Sequence, residues 1–198
     1  MLLALTGGVA TGKSTFRRLL EERHTFEVFD ADACVHESLA SDQTIITSVS
    51  REFGDSAVDA TGAANRAVLR RIVFADREAR QKLEAILHPA VRSRWQQLLS
   101  NCQAESKDFL ADIPLLYETS AEGYFDAVVV VAASPGSQRE RLAGRGLDSG
   151  TIDAMLASQL PIGEKVDRAT TLVWNDGTLG ALARQADLLL ERLFSPQS

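Results

Sequence analysis

The stretch that most limits what this chain can fold into is Gly7-Gly8-Val9-Ala10-Thr11-Gly12-Lys13-Ser14, a glycine, four residues and then Gly-Lys-Ser. It stands between a continuous apolar run, Leu2 to Thr6, and a segment, Ser14 to Glu22, in which Phe16, Leu19 and Leu20 fall at helical spacing. Strand, glycine loop and helix in that order form a phosphate-holding P-loop. Glycines let backbone N–H groups turn inward around a phosphate, and the helix start adds the positive end of its dipole. Lys13 then reaches the outer phosphates, and the Ser14 hydroxyl is placed to ligate magnesium.

The rest of the chain alternates between the two periodicities. Short apolar runs at Phe26–Phe29, Phe109–Ile113, Ala127–Ala132 and Thr171–Trp174 predict further strands, of the kind buried on both faces of a parallel sheet. Between the second and third strands lie about eighty residues with almost no strand character, including Arg66–Phe74 and Asp76–Leu98, the latter expected to break at Pro89. That stretch predicts an inserted helical subdomain. Ser137–Arg145 and Ser149–Ser158 read as helices, and Leu179–Leu193 as a closing helix with one apolar stripe. The expectation is a single α/β domain of 198 residues, a three-layer parallel sheet with helical additions.

Carboxylates and guanidinium groups supply the next candidates. Asp30-Ala31-Asp32 ends the second strand, the edge at which open α/β sheets bind ligands, and a carboxylate there can take or orient the proton of an attacking hydroxyl. One of the pair could instead cap the helix that follows. Asp112, near the end of the third strand, is placed to assist magnesium or substrate, or else is tied to backbone amides. Arg141 and Arg145 lie four apart on one expected helical face with Arg139 nearby, which fits either a lid that supplies positive charge to a transferring phosphate or a solvated face. His88-Pro89 reads as a turn inside a helical stretch, with a structural histidine.

Charge and composition exclude some partners. With 21 Lys and Arg against 27 Asp and Glu, the net charge of −6 argues against nucleic acid and anionic membrane surfaces. The longest apolar run, Ala127 to Ala133, is too short to span a bilayer, and no basic-flanked signal opens the chain, so a protein neither spanning nor exported is expected. Two cysteines, Cys34 and Cys102, without paired spacing suit a reducing cytoplasm.

Taken in order, these residues resemble the dephospho-coenzyme A kinase family over nearly the whole chain. The resemblance is carried by Ala4-Leu5-Thr6-Gly7-Gly8 through Lys13-Ser14-Thr15, Asp30-Ala31-Asp32, Asn65-Arg66, Leu87-His88-Pro89, Asp112-Ile113-Pro114-Leu115-Leu116-Tyr117-Glu118, Gln138, Arg141-Leu142, Arg145, Gln159 and Asn175-Asp176-Gly177-Thr178. It implies a P-loop kinase core, a helical acceptor subdomain at about 33–101 and a helical lid at 138–165. It further implies ATP and magnesium, with Gly8, Ala10, Thr11, Gly12, Lys13, Ser14, Thr15 and Asn175 around ATP and Ser14 on the metal. The same resemblance places Asp32, His88, Asp112 and Leu115 at the acceptor, makes Asp32 the base for the ribose 3'-hydroxyl, and assigns Lys13, Arg141 and Arg145 to catalysis. Ala10 departs from the family's usual glycine, Thr170 from its usual aspartate and Tyr117 from its usual phenylalanine. A nucleotide or nucleoside kinase is the nearest rival; a nucleotide switch lacks its base-reading Asn-Lys-x-Asp here.

Overall fold

A computed structural model of the chain describes residues 1–194. Its centre is a five-stranded sheet in the order β2-β3-β1-β4-β5, built from β1 (Leu2–Gly7), β2 (Glu27–Asp30), β3 (Phe109–Asp112), β4 (Ala127–Ala132) and β5 (Thr171–Trp174). The pairs β1–β3, β1–β4 and β4–β5 are parallel. Every residue of β1 and β4 is buried, which is why both read as unbroken apolar runs rather than as alternating ones. Register sets Leu5 beside Asp112 and Gly7 beside Val131. A Cβ on Gly7 would collide with the Val131 carbonyl oxygen, so glycine permits this close approach.

The described residues form two compact units, one from residues 1–28 with the segment from Cys102 onward and the other from Phe29–Asn101. In the first, α1 (Lys13–Glu21) and α9 (Leu179–Phe194) cover the sheet, and Phe16, Leu19, Leu20, Leu182, Ala186 and Leu189 pack with Leu3, Leu5, Val129 and Val131 into one core. Between β4 and β5 run three short helices, α6 (Pro135–Ala143), α7 (Ser149–Ala157) and α8 (Ile162–Asp167). Ser134 and Asp148 cap α6 and α7 by accepting from Ser137 and Thr151 backbone amides.

The second unit is helical: α2 (Ala31–Ser41), α3 (Gln43–Phe53), α4 (Arg66–Ala75) and most of α5 (Arg77–Glu105). Its own core joins Leu39, Ile45, Val49, Ala57, Ala64, Leu69 and Leu87. Asp42 and Asn65 cap α3 and α4. The break expected at Pro89 does not occur. Proline there removes one i to i−4 hydrogen bond, at a cost of about 3 kcal/mol, but buried Leu87, Trp95 and Leu99 anchor the turns on both sides and α5 continues for 29 residues. The strand expected at Phe26–Phe29 lies one residue further on, at Glu27–Asp30. Among the described residues, no helix is long and apolar enough to cross a membrane.

Candidate active site

β1 delivers the chain into the glycine loop, and α1 leaves it at Lys13. Two loop residues have left-handed backbone, Ala10 at φ 58° and Gly12 at φ 91°. At Gly12 a side chain is excluded twice, by φ and by the Asn175 amide nitrogen, which occupies the space a Cβ would fill. Three consecutive loop carbonyls are tied back by side chains from outside the loop. Gln138 Nε2 donates to Val9 O (2.7 Å), Arg141 Nη1 to Ala10 O (3.1 Å) and Asn175 Nδ2 to Thr11 O (2.8 Å). Because the carbonyl and N–H of one peptide point opposite ways, holding these oxygens outward turns the N–H groups of residues 10 and 12 toward the loop's concave side, while the Thr11 N–H donates to Gly8 O (3.5 Å). Thr11 adds a bond from its hydroxyl to Gly8 O (2.9 Å).

The anchors themselves are fixed. Asn175, just past β5, donates its backbone N–H to Ala132 O (2.8 Å) at the end of β4, and its own carbonyl accepts from Arg141 Nη2 (2.5 Å). Arg141 thus bridges the loop and the β5 exit, on α6. Gly12, the N-cap of α1, offers no side-chain cap, and the first turn holds no acidic residue. The amide ends and positive dipole of α1 are therefore left for an anion.

Lys13 and Asp112 form an ion pair, and Arg17 Nη1 donates to the other carboxylate oxygen of Asp112 (3.3 Å). Asp112 is 3% exposed, so its charge depends on these cations. Arg17 carries no motif of its own; its signal in the sequence is the spacing of four from Lys13 on α1. Past β3 the chain turns at Pro114, with Leu115 half-buried and Leu116 and Tyr117 buried. Burial pushes the pKa of Lys165, on α8, below the ordinary lysine value; the Glu118 carboxylate opposes that shift and the Lys13 charge adds to it.

Other expected site residues are placed as follows. Ser14 is exposed and Thr15 half-buried in the first turn of α1, and Gly8 is half-buried in the loop. Asp30 is the N-cap of α2, accepting from Ala33 N (3.0 Å), so of the two aspartates it is the one that caps. Asp32 lies exposed in the first turn of that helix, and His88 sits half-buried in the middle of α5 rather than in a turn. Arg145 does not share a helical face with Arg141: α6 ends at Ala143, Gly144 caps it, and Arg145 is exposed in the turn that follows. Arg139, also exposed, pairs with Asp153 (2.6 Å).

The family model for dephospho-CoA kinase matches residues 1–181. A dephospho-CoA kinase of Anaeromyxobacter dehalogenans is 44% identical over 194 residues, covering 97% of this chain and 92% of the relative. Among solved structures, a protein of Thermus thermophilus superposes with a TM-score of 0.78 at 32% identity, covering 98% of each chain. The dephospho-CoA kinase of Campylobacter jejuni superposes with a TM-score of 0.73 at 24% identity, covering 96% of each, and shares the fold. With loop, sheet and helices matched over nearly their full length, the chain belongs to the dephospho-CoA kinase family.

Proposed function

We propose that Lys13, Ser14, Asp32 and Arg141 organise transfer of the terminal phosphoryl group of ATP to the ribose 3'-hydroxyl of dephospho-coenzyme A, the last step of coenzyme A synthesis. The observation that carries this reading is the loop whose Val9, Ala10 and Thr11 carbonyls are all held outward, beside an uncapped α1 N-terminus. Such a cradle is preorganised for a polyphosphate, and preorganised donors lower the barrier to transfer because they need not reorient as charge moves.

In this reading Gly8, Ala10, Thr11, Gly12, Ser14 and Thr15 surround the phosphates, and Asn175 shapes the cradle from behind. Lys13 exchanges Asp112 for the outer phosphates, while Arg17 remains on Asp112. The exposed Ser14 hydroxyl is a hard oxygen donor that would hold magnesium, and the ion when bound would offset phosphate charge. Asp32 accepts the proton of the 3'-hydroxyl, and Asp30 keeps the start of α2 in place. His88, Asp112 and Leu115 are assigned to the acceptor, residues 33–101 to the acceptor subdomain and 138–165 to the lid. Arg145, exposed beyond α6, is the lid guanidinium available to approach a phosphate, whereas Arg141 is already engaged with the loop. A chain of net charge −6 with two free thiols suits a cytoplasmic enzyme of small molecules, without nucleic acid or membrane.

The test is turnover with labelled ATP, magnesium and a panel of acceptors, with products identified by mass. Dephospho-coenzyme A should be phosphorylated far more efficiently than AMP or adenosine, and Lys13→Ala should cut turnover by about 10³ or more in a folded protein. Full turnover of folded Lys13→Ala would remove Lys13 from the mechanism.

A further inference from the structure

Lys165 is the only lysine among the described residues with no solvent exposure at all. Its ammonium donates to the carbonyl oxygen of Pro114 (2.9 Å) and pairs with Glu118 Oε1 (2.9 Å). The same Pro114 oxygen also accepts from the Thr6 hydroxyl (3.1 Å), in the strand that becomes the phosphate loop. Glu118 Oε1 in turn accepts from the backbone N–H of Leu160, just ahead of α8. At that same end of α8, Ile162 lies against Gly8 of the loop. The ammonium therefore joins α8 to the turn leaving β3, and the Pro114 oxygen it binds is shared with the end of β1.

That turn is where the sheet loses its grip. The last backbone–backbone bond from it to β1 is Ile113 N–H to Leu5 O (2.9 Å), and Pro114 has no N–H with which to continue. Beyond Ile113 the turn has its own backbone bonds and buries Leu116 and Tyr117, and its hydrogen bonds to α8 are made by the Pro114 carbonyl and the Glu118 carboxylate, both on Lys165. Only the lysine end of this pair is buried, the Glu118 side chain being 22% exposed, and taking an ammonium out of water costs much of what the pair returns. Thermal stability therefore gives little reason for a lysine here. Directional bonds that hold a short turn in one place give a better one.

We propose that Lys165 is a positioning residue of the kinase reaction, fixing the Pro114–Glu118 turn so that Asp112 and Leu115 on either side of its start present one geometry to the acceptor. This rests on the assignment of Asp112 and Leu115 to the acceptor. Lys165 itself touches neither substrate. Its loss loosens the acceptor side and leaves the nucleotide cradle, tied by Gln138, Arg141 and Asn175, intact.

Steady-state kinetics with ATP and dephospho-coenzyme A varied separately, alongside thermal unfolding, test this in Lys165→Met, Thr6→Val, Leu115→Ala and the neutral pair Lys165→Met/Glu118→Gln. The neutral pair leaves no buried charge uncompensated and keeps a carbonyl oxygen for Leu160 N–H, so it provides a folded variant even where Lys165→Met is unstable. The expected result is kcat/KM for dephospho-coenzyme A lower by about ten-fold or more in both Lys165 variants, with KM for ATP within about two-fold of wild type. Thr6→Val, which removes the other donor on Pro114 O, should shift the same parameter less. Recovery of Tm in the neutral pair without recovery of kcat/KM separates positioning from stability. Wild-type acceptor kinetics in the folded neutral pair, or equal losses for both substrates, would overturn the proposal. If Leu115→Ala leaves acceptor kinetics unchanged while the Lys165 variants lose them, the placement of the acceptor at Leu115 fails and the role of Lys165 stands.

Discussion

The side-chain amide of Asn175 donates to the carbonyl of Thr11 across a separation of 164 residues, and its nitrogen fills the space where Gly12 lacks a Cβ. Asn175 is 9% exposed, so without it the Thr11 carbonyl is left facing a gap. Removing a buried partner costs about 1–3 kcal/mol. Asn175→Ala should raise KM for ATP by about ten-fold with a smaller effect on acceptor KM, because what is lost is the shape of the cradle. Equal changes in the two KM values would place Asn175 outside it.

Arg141 and Arg145 should respond differently to the same change. Arg141 uses the two ends of its fork on two backbone carbonyls, Ala10 O and Asn175 O, and a lysine reaches only one of them. Arg141→Lys should therefore weaken ATP binding and lower Tm together. Arg145 is exposed past the end of α6, so Arg145→Lys should leave Tm unchanged and show its effect, if it serves the transferring phosphate, in kcat. A matching fall in Tm for both variants would contradict this division.

β4 was legible because burial on both faces leaves nothing but apolar residues, and it begins and ends where its run does; β5 also matches its run, although Leu172 and Trp174 are exposed. The phosphate loop was legible because its chemistry demands fixed residue types at fixed spacing. What the sequence concealed depends on distant partners. Pro89 signals a break by local rules, and α5 overrides it through Leu87 and Trp95, whose burial is a tertiary fact. Arg141 reads as a lid cation until Ala10 O and Asn175 O are seen to occupy it. Lysine is ordinarily a surface residue, and the burial of Lys165 rests on Pro114 and Glu118, about fifty residues earlier.

Asp30 and Asp32 should separate by readout. Asp30 caps α2, so Asp30→Ala should cost about 1 kcal/mol of stability, and Asp30→Asn, which caps equally well, nearly none. Asp32 is exposed in the first turn, and Asp32→Asn should leave Tm close to wild type while lowering kcat by about 10² or more. Kinetics and thermal unfolding on the three variants decide it; a larger kcat loss in Asp30→Asn than in Asp32→Asn would exchange their roles.

Stability at low pH should depend on Asp108. Burial raises its pKa, but bonds from the Met1 ammonium (2.8 Å) and the His24 ring (2.7 Å) outweigh this, and the net shift is downward. A carboxylate with a depressed folded pKa contributes stability that is fully present above its unfolded value, near ~3.9, and is lost as pH falls through the folded value. Asp108→Asn should accordingly lower Tm at pH 7 and flatten the decline of Tm below about pH 4. Parallel Tm-against-pH curves for variant and wild type would show that the charge plays no part.

Ala10 holds a left-handed backbone at φ 58° in which an L-residue is strained and glycine is not. The strain amounts to about 1–2 kcal/mol, and glycine returns part of the gain, about 0.4–1 kcal/mol, through the greater freedom of the unfolded chain. Ala10→Gly should thus be neutral to stabilising, with a Tm rise of up to about 2–4 °C. The loop should not slacken in exchange, because the Ala10 carbonyl is held by Arg141 and its neighbours by Gln138 and Asn175, whichever residue stands at position 10. KM for ATP should therefore stay within about two-fold of wild type. Pairing the change with Arg141→Lys sharpens the test: once the clamp on residue 10 is weakened, glycine's freedom is no longer restrained, and the double variant should lose more ATP affinity than the two single changes together. Simple additivity, or a fall in Tm for Ala10→Gly alone, would mean that the methyl group packs usefully and that the clamp does not set the loop's shape.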